Sequence, residues 1–257
     1  MIGGQLNRRR FQGIGTSMFR VALIGPDGAG KTTISRQLEL LYPLRVKNLY
    51  MGVNLDSSNQ MLPTTYLIHM IKRLCGVKPD TGGPPDPDRT SPRHRSIVKR
   101  FAIGLKAYSY LIFQISEEWF RQGLAWYYWY FDGYIVLFDR DFFCDYYAYD
   151  IAASNRKRPL RKRIHGFLLE HFYPRPDLVI CLDAPAEVLF ARKGEGTLKS
   201  LERRRQEYLQ LRNVVKHFAA VDASQSLDCV VREVIELITH YYNATACNNV
   251  SAGDAPG

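Results

Sequence analysis

Residues 19–42 read "FRVALIGPDGAGKTTISRQLELLY". A short apolar run, 20–24, enters a glycine-rich turn, and the turn enters a helix at 31–41 that Pro43 ends. The turn Gly25-Pro26-Asp27-Gly28-Ala29-Gly30-Lys31-Thr32 satisfies G-x-x-x-x-G-K-[ST]. Glycines at that spacing let backbone N–H groups curl around a phosphate. The helix beginning near Lys31 points its positive end at the same oxygens. Lys31 supplies a point charge to terminal phosphates, and Thr32, followed by Thr33, offers a hydroxyl for Mg²⁺. Asp27 stands apart, because a carboxylate among phosphate-binding donors needs its own purpose. It suits a second substrate that brings a hydroxyl, or an Asx-type turn.

The same alternation continues outward. Apolar runs at 46–51, 134–138, 176–185 and 218–224 are separated by helical patterns at 61–74, 94–131, 154–171, 186–211 and 227–242. Short continuous apolar strands between helices predict a parallel sheet covered on both faces. The expected fold is therefore an α/β three-layer sandwich of the P-loop NTPase kind, with about five parallel strands and a small lid. One domain spans 20–242, between a basic tail at 1–19 and a polar tail at 243–257. A Pro/Gly-rich loop, 76–96, interrupts it. On the 94–131 helix, apolar residues at 101, 105, 108, 112, 115 and 119 form one stripe, expected to pack on the core or on a partner helix in a homodimer.

Composition narrows the class. The 257 residues are 46% hydrophobic and 23% charged, which is globular. The five cysteines are scattered without metal spacing, as in a reduced cytoplasmic protein. Acidic and basic residues interrupt the apolar runs near 110–131, so no integral membrane segment is expected, although peripheral membrane contact stays open. The net charge of +10 suits anionic partners, with clusters at 8–10 and 156–163. No aromatics are interleaved with the 156–163 cluster, and no nucleic acid partner is expected.

Two more segments carry chemistry. The strand 134–138 ends in Asp139-Arg140, where a carboxylate faces the phosphate site and holds a Mg²⁺-bound water while the guanidinium clamps a phosphate. The stretch "ARKGEGTLKSLERRRQEY", 191–208, reads as a lid over 191–205. Arg192 and Lys193 close over the transferring group, and Arg203–Arg205 form a solvated face.

In this order the pieces resemble the thymidylate kinase family of P-loop nucleoside monophosphate kinases. "GPDGAGKTT", "VLFDR", "PDLVICLDAPAEVLFAR", "LERRRQEYLQL" and "VDASQSLDCVVREV" carry the resemblance across residues 20 to about 240. It implies MgATP-dependent phosphoryl transfer to a nucleoside monophosphate, most directly dTMP. Gly25–Thr33 would hold ATP, Arg140 the acceptor phosphate and Asp27 the acceptor sugar. Gly28 stands where some members have a catalytic arginine, so the resemblance points to Arg192 on the lid instead. Residues 50–58, "YMGVNLDSS", and 139–150, "DRDFFCDYYAYD", depart from the family pattern on the acceptor side. A sugar or lipid-linked phosphate acceptor is the competing enzymatic reading. A non-enzymatic nucleotide or nucleic-acid binder is the other, though no Asn-Lys-x-Asp guanine motif occurs.

Overall fold

A computed structural model of the chain describes residues 18–52, 62, 97–152 and 159–253. The elements are β1 (Arg20–Ile24), α1 (Lys31–Leu41), β2 (Val46–Tyr50), α2 (Ile97–Tyr130), β3 (Ile135–Asp139), α3 (Phe142–Tyr146), a π-helical turn (Tyr147–Ala152), α4 (Leu160–His171), β4 (Leu178–Asp183), α5 (Ala186–Lys193), α6 (Leu198–Leu209), a 3₁₀ turn (Gln210–Asn213), β5 (Phe218–Asp222) and α7 (Leu227–Gly253). All five strands are parallel, in the order β2-β3-β1-β4-β5. Strand β1 therefore sits in the middle, with later strands added on either side. The loop after it lies where the strand order reverses, the place where open parallel sheets bind ligands.

Alternate side chains of each strand feed opposite faces. Val21, Leu23, Ile135, Leu137, Ile180 and Leu182 meet α1, α5 and α7 through Ile34, Leu38, Leu189, Val234 and Ile238. Ala22, Ile24, Val136, Phe138, Val179 and Cys181 meet α2, α3, α4 and α6 through Ala125, Phe143, Leu169 and Tyr208. This is the three-layer sandwich that continuous apolar strands demand. At the strands' N-terminal ends, Arg20 forks onto Asp177 with both side-chain bonds at 3.1 Å, joining β1 to the entry of β4.

Several boundaries move. Phe19 is buried between Tyr241 and Tyr242, so the folded domain starts inside the stretch assigned to the N-terminal tail. Helix α7 runs on to Gly253 instead of giving way to a tail at 243. No proline or glycine interrupts 243–252, and the Thr245 hydroxyl donates to the Tyr241 and Tyr242 carbonyls. The 186–211 helix breaks in two. Gly194 closes α5 at φ 68°, and Thr197 with Ser200 caps α6 reciprocally. The 76–96 loop, most of the 61–74 helix and Arg156–Arg158 lie outside the described residues.

Of the two expectations for the α2 stripe, packing on the core fails where the stripe is described. Tyr108, Ile112 and Trp119 are exposed. The inward face carries Leu111, Glu117, Glu118, Arg121, Gln122 and Ala125. Apolar spacing marked one face of the helix, but the sheet selects the face whose charges have partners. Arg121 donates to Glu117 at 3.1 Å and to the Gly52 carbonyl at 2.9 Å, while Glu118 bonds His165 on α4 at 2.9 Å.

Leu137 is fully buried at the centre of the sheet. Leu137→Ala should lower unfolding free energy by about 3 kcal/mol. In urea denaturation the midpoint should drop while the slope stays constant.

Candidate active site

Three backbone features build the cleft at the carboxyl ends of β1, β3 and β4. The glycine loop packs directly on neighbouring main chain. A Cβ on Gly25 would stand 2.3 Å from the Leu182 carbonyl oxygen, and one on Gly28 would stand 2.6 Å from that of Leu189. Both glycines also adopt positive φ, 140° and 89°. No side chain, arginine included, fits at 28 without pushing α5 away. The third feature is Arg140, a non-glycine residue with φ 73°. Its amide donates to the Leu23 carbonyl at 3.0 Å, which fastens this left-handed turn to β1. Such a conformation costs about 1–3 kcal/mol and persists where the surroundings over-determine it.

The turn brings Arg140 to the loop. Its Nη2 donates to Asp27 Oδ1 at 2.7 Å, and Lys193 Nζ lies 3.6 Å from the same oxygen. Lys31 is buried and donates to the carbonyls of Gly25 and Pro26, each at 2.7 Å. Burial lowers the Lys31 pKa to about 8, and the neighbouring Arg140 adds to the effect. Burial by itself would raise Asp27, but Arg140, Lys31 and Lys193 outweigh it and hold the carboxyl at about 2. Arg140 is likewise kept charged, since Asp145 and Asp27 outweigh its own desolvation. The site gathers three cations, Lys31, Arg140 and Lys193, around Asp27, with Asp139 and Asp145 close by, and such fixed cations suit polyphosphate chemistry.

Asp139 is buried at the end of β3, and its Oδ1 has no hydrogen-bond partner. An orphaned carboxylate oxygen requires a partner, and a hydrated hard cation supplies one. Thr32 is exposed in the first turn of α1. The donor set of carboxylate and hydroxyl oxygens fits Mg²⁺.

Arg192 sits elsewhere. Its Nη1 donates to the Ala223 carbonyl at 2.8 Å, tying the end of α5 to the loop after β5. The lid cation that reaches the glycine loop is Lys193. Arg203 is exposed, but Arg204 and Arg205 depart from the expected solvated face. Arg204 lies 3.7 Å over the Tyr149 ring, and Arg205 forks onto Asp183 at 2.8 and 2.9 Å. The α6 face turns inward because Asp183, at the end of β4, and Tyr149 offer it partners.

Sequence reading missed Asp145. It is buried, accepts a 2.8 Å bond from Tyr208 Oη, and faces Arg140. Burial raises its pKa. Asp141 caps α3 through the Cys144 amide at 2.9 Å, and burial raises it to about 6. The only available signal was the acidic run itself, Asp139, Asp141 and Asp145 around one arginine. Next to Arg140 a narrow cavity opens, lined by Gly52, Phe113, Gln114, Glu118, Arg121 and Phe142. A Cβ on Gly52 would stand 2.6 Å from Arg140 Cδ, so cavity and guanidinium adjoin. Arg121 Nη2 is buried there without a partner.

No protein-family model matches the chain. A probable thymidylate kinase 1 of Saccharolobus solfataricus is 30% identical over 113 residues, covering 42% of this chain and 56% of that protein. A probable thymidylate kinase of Archaeoglobus fulgidus is 32% identical over 124 residues, covering 46% and 59%. By sequence, this chain is similar to thymidylate kinases. It spans somewhat over half the length of these curated relatives. Among solved structures, the thymidylate kinase of Candida albicans superposes with a TM-score of 0.55 at 17% identity, covering 88% of this chain and 93% of that one. The fold is that of this thymidylate kinase, an all-parallel five-stranded P-loop sandwich.

The two shifted groups each predict a limb over which stability rises with pH, one acid and one alkaline. Asp27 has a folded pKa of about 2 against 3.8 unfolded, so its contribution is complete above 3.8 and lost as pH falls through 2. Lys31 has a folded pKa of about 8 against 10.5 unfolded. The unfolded chain then binds the extra proton, and this group makes stability rise from pH 8 to 10.5. Urea midpoints across pH should show both limbs. Asp27→Asn should flatten the acid limb, and Lys31→Met the alkaline one.

Proposed function

We propose that the protein is a thymidylate kinase-like nucleoside monophosphate kinase, transferring the terminal phosphoryl group of ATP to dTMP. The observation that carries this reading is the Arg140–Asp27 pair at 2.7 Å. It brings the Arg140 guanidinium directly against the glycine loop, which supports a clamp for an acceptor phosphate beside a donor-phosphate cradle. The thymidylate kinase names of the similar archaeal proteins point the same way.

In this reading Gly25–Thr33 wrap the donor phosphates with backbone N–H groups. Lys31 leaves its loop carbonyls for the β- and γ-phosphate oxygens. Thr32 and, through water, Asp139 would hold Mg²⁺, whose charge would offset that of the donor phosphates when bound. Arg140 orients the acceptor phosphate so that one of its oxygens attacks the γ-phosphorus. The bond from that phosphorus to the β–γ bridging oxygen breaks, and ADP leaves. Lys193 approaches from α5 and offsets negative charge on the transferring group, with Arg192 behind it on the same turn. Asp27 accepts a hydrogen bond from an acceptor hydroxyl. The unpartnered Arg121 Nη2 beside the cavity offers a donor to a base carbonyl, which thymine has and an aminopyrimidine lacks at the same edge. The exposed side of α2 at Tyr108, Ile112 and Trp119 is the surface a second copy would cover.

A coupled ADP assay with a panel of monophosphates tests this. ADP should form with dTMP, with dUMP next and dCMP well behind. Absence of ADP above background with every nucleotide, alongside a thermal shift with a sugar phosphate, would move the acceptor to the non-nucleotide class.

Arg140→Ala should lower kcat/KM by about 10³ or more, with the circular dichroism spectrum retained. ATP affinity should change little, because the guanidinium serves the acceptor. Near-normal turnover in Arg140→Ala refutes the acceptor assignment.

A further inference from the structure

Lys193, the cation that α5 brings to the glycine loop, does not stand alone at the cleft. Its Nζ lies 2.9 Å from Glu195 Oε2 and 3.6 Å from Asp27 Oδ1. Asp27 already accepts the 2.7 Å bond from Arg140, so it has a cation of its own. Glu195 is the nearer partner of Lys193, and it has no other ion pair among the described residues. Burial by itself would lower the Lys193 pKa, but the hydrogen bond to Glu195 and the charge of Asp27 outweigh it and raise the pKa.

The contact is built locally. Helix α5 ends at Lys193, and Gly194 follows in the left-handed region at φ 68°, its amide donating to the Phe190 carbonyl at 2.7 Å. Gly196 is left-handed as well, at φ 82°. These two joints flank Glu195 and turn the chain back on the helix, which brings the carboxylate to the residue two places before it. Thr197 and Ser200 then cap α6 reciprocally and hold the far end of the turn. Glu195 is thus set by a turn fixed at both ends, while the flexible four-carbon stem of Lys193 lets the ammonium swing.

The two side chains are 40% and 66% exposed, and a pair this open adds little to the stability of the fold. Its consequence lies in the cleft. A triphosphate seated on the glycine loop calls for Lys193 at its terminal group, and Glu195 is an anion that already holds it. The terminal phosphate must draw the ammonium off the carboxylate, and the carboxylate repels the incoming phosphate oxygens. Both effects have the same sign. Arg192 cannot stand in, because its Nη1 is engaged by the Ala223 carbonyl.

We propose that Glu195 is a positioning residue for Lys193: it parks the ammonium at the rim of the glycine loop and yields it to the terminal phosphate of a bound triphosphate. The proposal rests on the reading of Lys193 as the cation that serves the transferring phosphoryl group. A diphosphate, which lacks that group, leaves the Lys193–Glu195 pair in place.

Calorimetric binding of MgATP and of MgADP, each without acceptor, tests it. Glu195→Gln should tighten MgATP binding about two- to fivefold, the range that one exposed ion pair supplies, and leave MgADP binding unchanged. The gain should shrink as salt rises. Glu195→Asp, which keeps the charge on a shorter arm, should fall between the parent and Glu195→Gln. In a Lys193→Met background Glu195→Gln should change neither nucleotide, because the cation it acts through is gone. Melting temperatures of the parent and the Glu195 variants should coincide. Equal MgATP affinity in the parent and Glu195→Gln overturns the proposal. So does a gain of the same size in the Lys193→Met background, which would be the field of a lost charge and not the release of this lysine. Weaker MgATP binding by Glu195→Gln also rejects it, since Glu195 would then present the lysine instead of parking it. Turnover is scored apart. A parent that binds MgATP but phosphorylates no monophosphate ends the acceptor reading, while the Glu195 comparison still decides this one. A parent that binds no MgATP ends both.

Discussion

Everything at the glycine-loop pole hangs on one ion pair, Arg140 with Asp27. It joins the last residue-and-a-turn of β3 to the loop after β1, and it does so inside a cleft where an unpaired charge would be costly. Each partner keeps the other ionised. Arg140 offsets the desolvation that would otherwise raise Asp27, and Asp27 with Asp145 offsets that of Arg140. The pair also accounts for the left-handed backbone at Arg140. An ordinary extended strand end would continue the line of β3 and carry the guanidinium past the loop. The Leu23 carbonyl, accepting the Arg140 amide, holds the turn in place.

The loop itself is constrained from its other side. Gly25 and Gly28 press on the carbonyls of Leu182 and Leu189, so β4 and α5 set how deep the loop lies. That contact makes glycine at 28 a packing requirement and leaves α5 to provide a cation. The last turn of α5 offers two. Arg192 is spent on the Ala223 carbonyl, and Lys193 reaches Asp27. Adjacent residues on a helix point about 100° apart, so only one of them faces the cleft at a time.

Helix α2 shows how charge can outweigh apolar spacing. Its buried side holds Arg121 between Glu117 and the carbonyls of Tyr50 and Gly52, and Glu118 against His165. These bonds fix β2, α2 and α4 relative to one another, and they border the cavity beside Arg140. The apolar stripe is left facing outward, and the aromatic end of the helix stands at the opposite pole. One helix thus borders the cavity beside Arg140 and also reaches the surface farthest from it.

The parallel sandwich, the five strands and the phosphate loop were legible in the sequence because each is written locally: continuous apolar runs, glycine spacing and Lys-Thr at a helix start. Asp139-Arg140 was legible as a strand end beside that loop. Residues whose meaning depends on a distant partner were not. Asp145 acquires a role only where Tyr208 and Arg140 converge on it, and Arg205 leaves solvent only because Asp183 ends a strand beside it. Likewise, periodicity identified an apolar face on α2 but not the direction in which the sheet would turn it. The sequence by itself determined the fold and the glycine-loop half of the cleft, through short-range patterns. Tertiary structure decided the Arg140 half of the cleft and the outward face of α2, because both depend on which charges find partners across the fold.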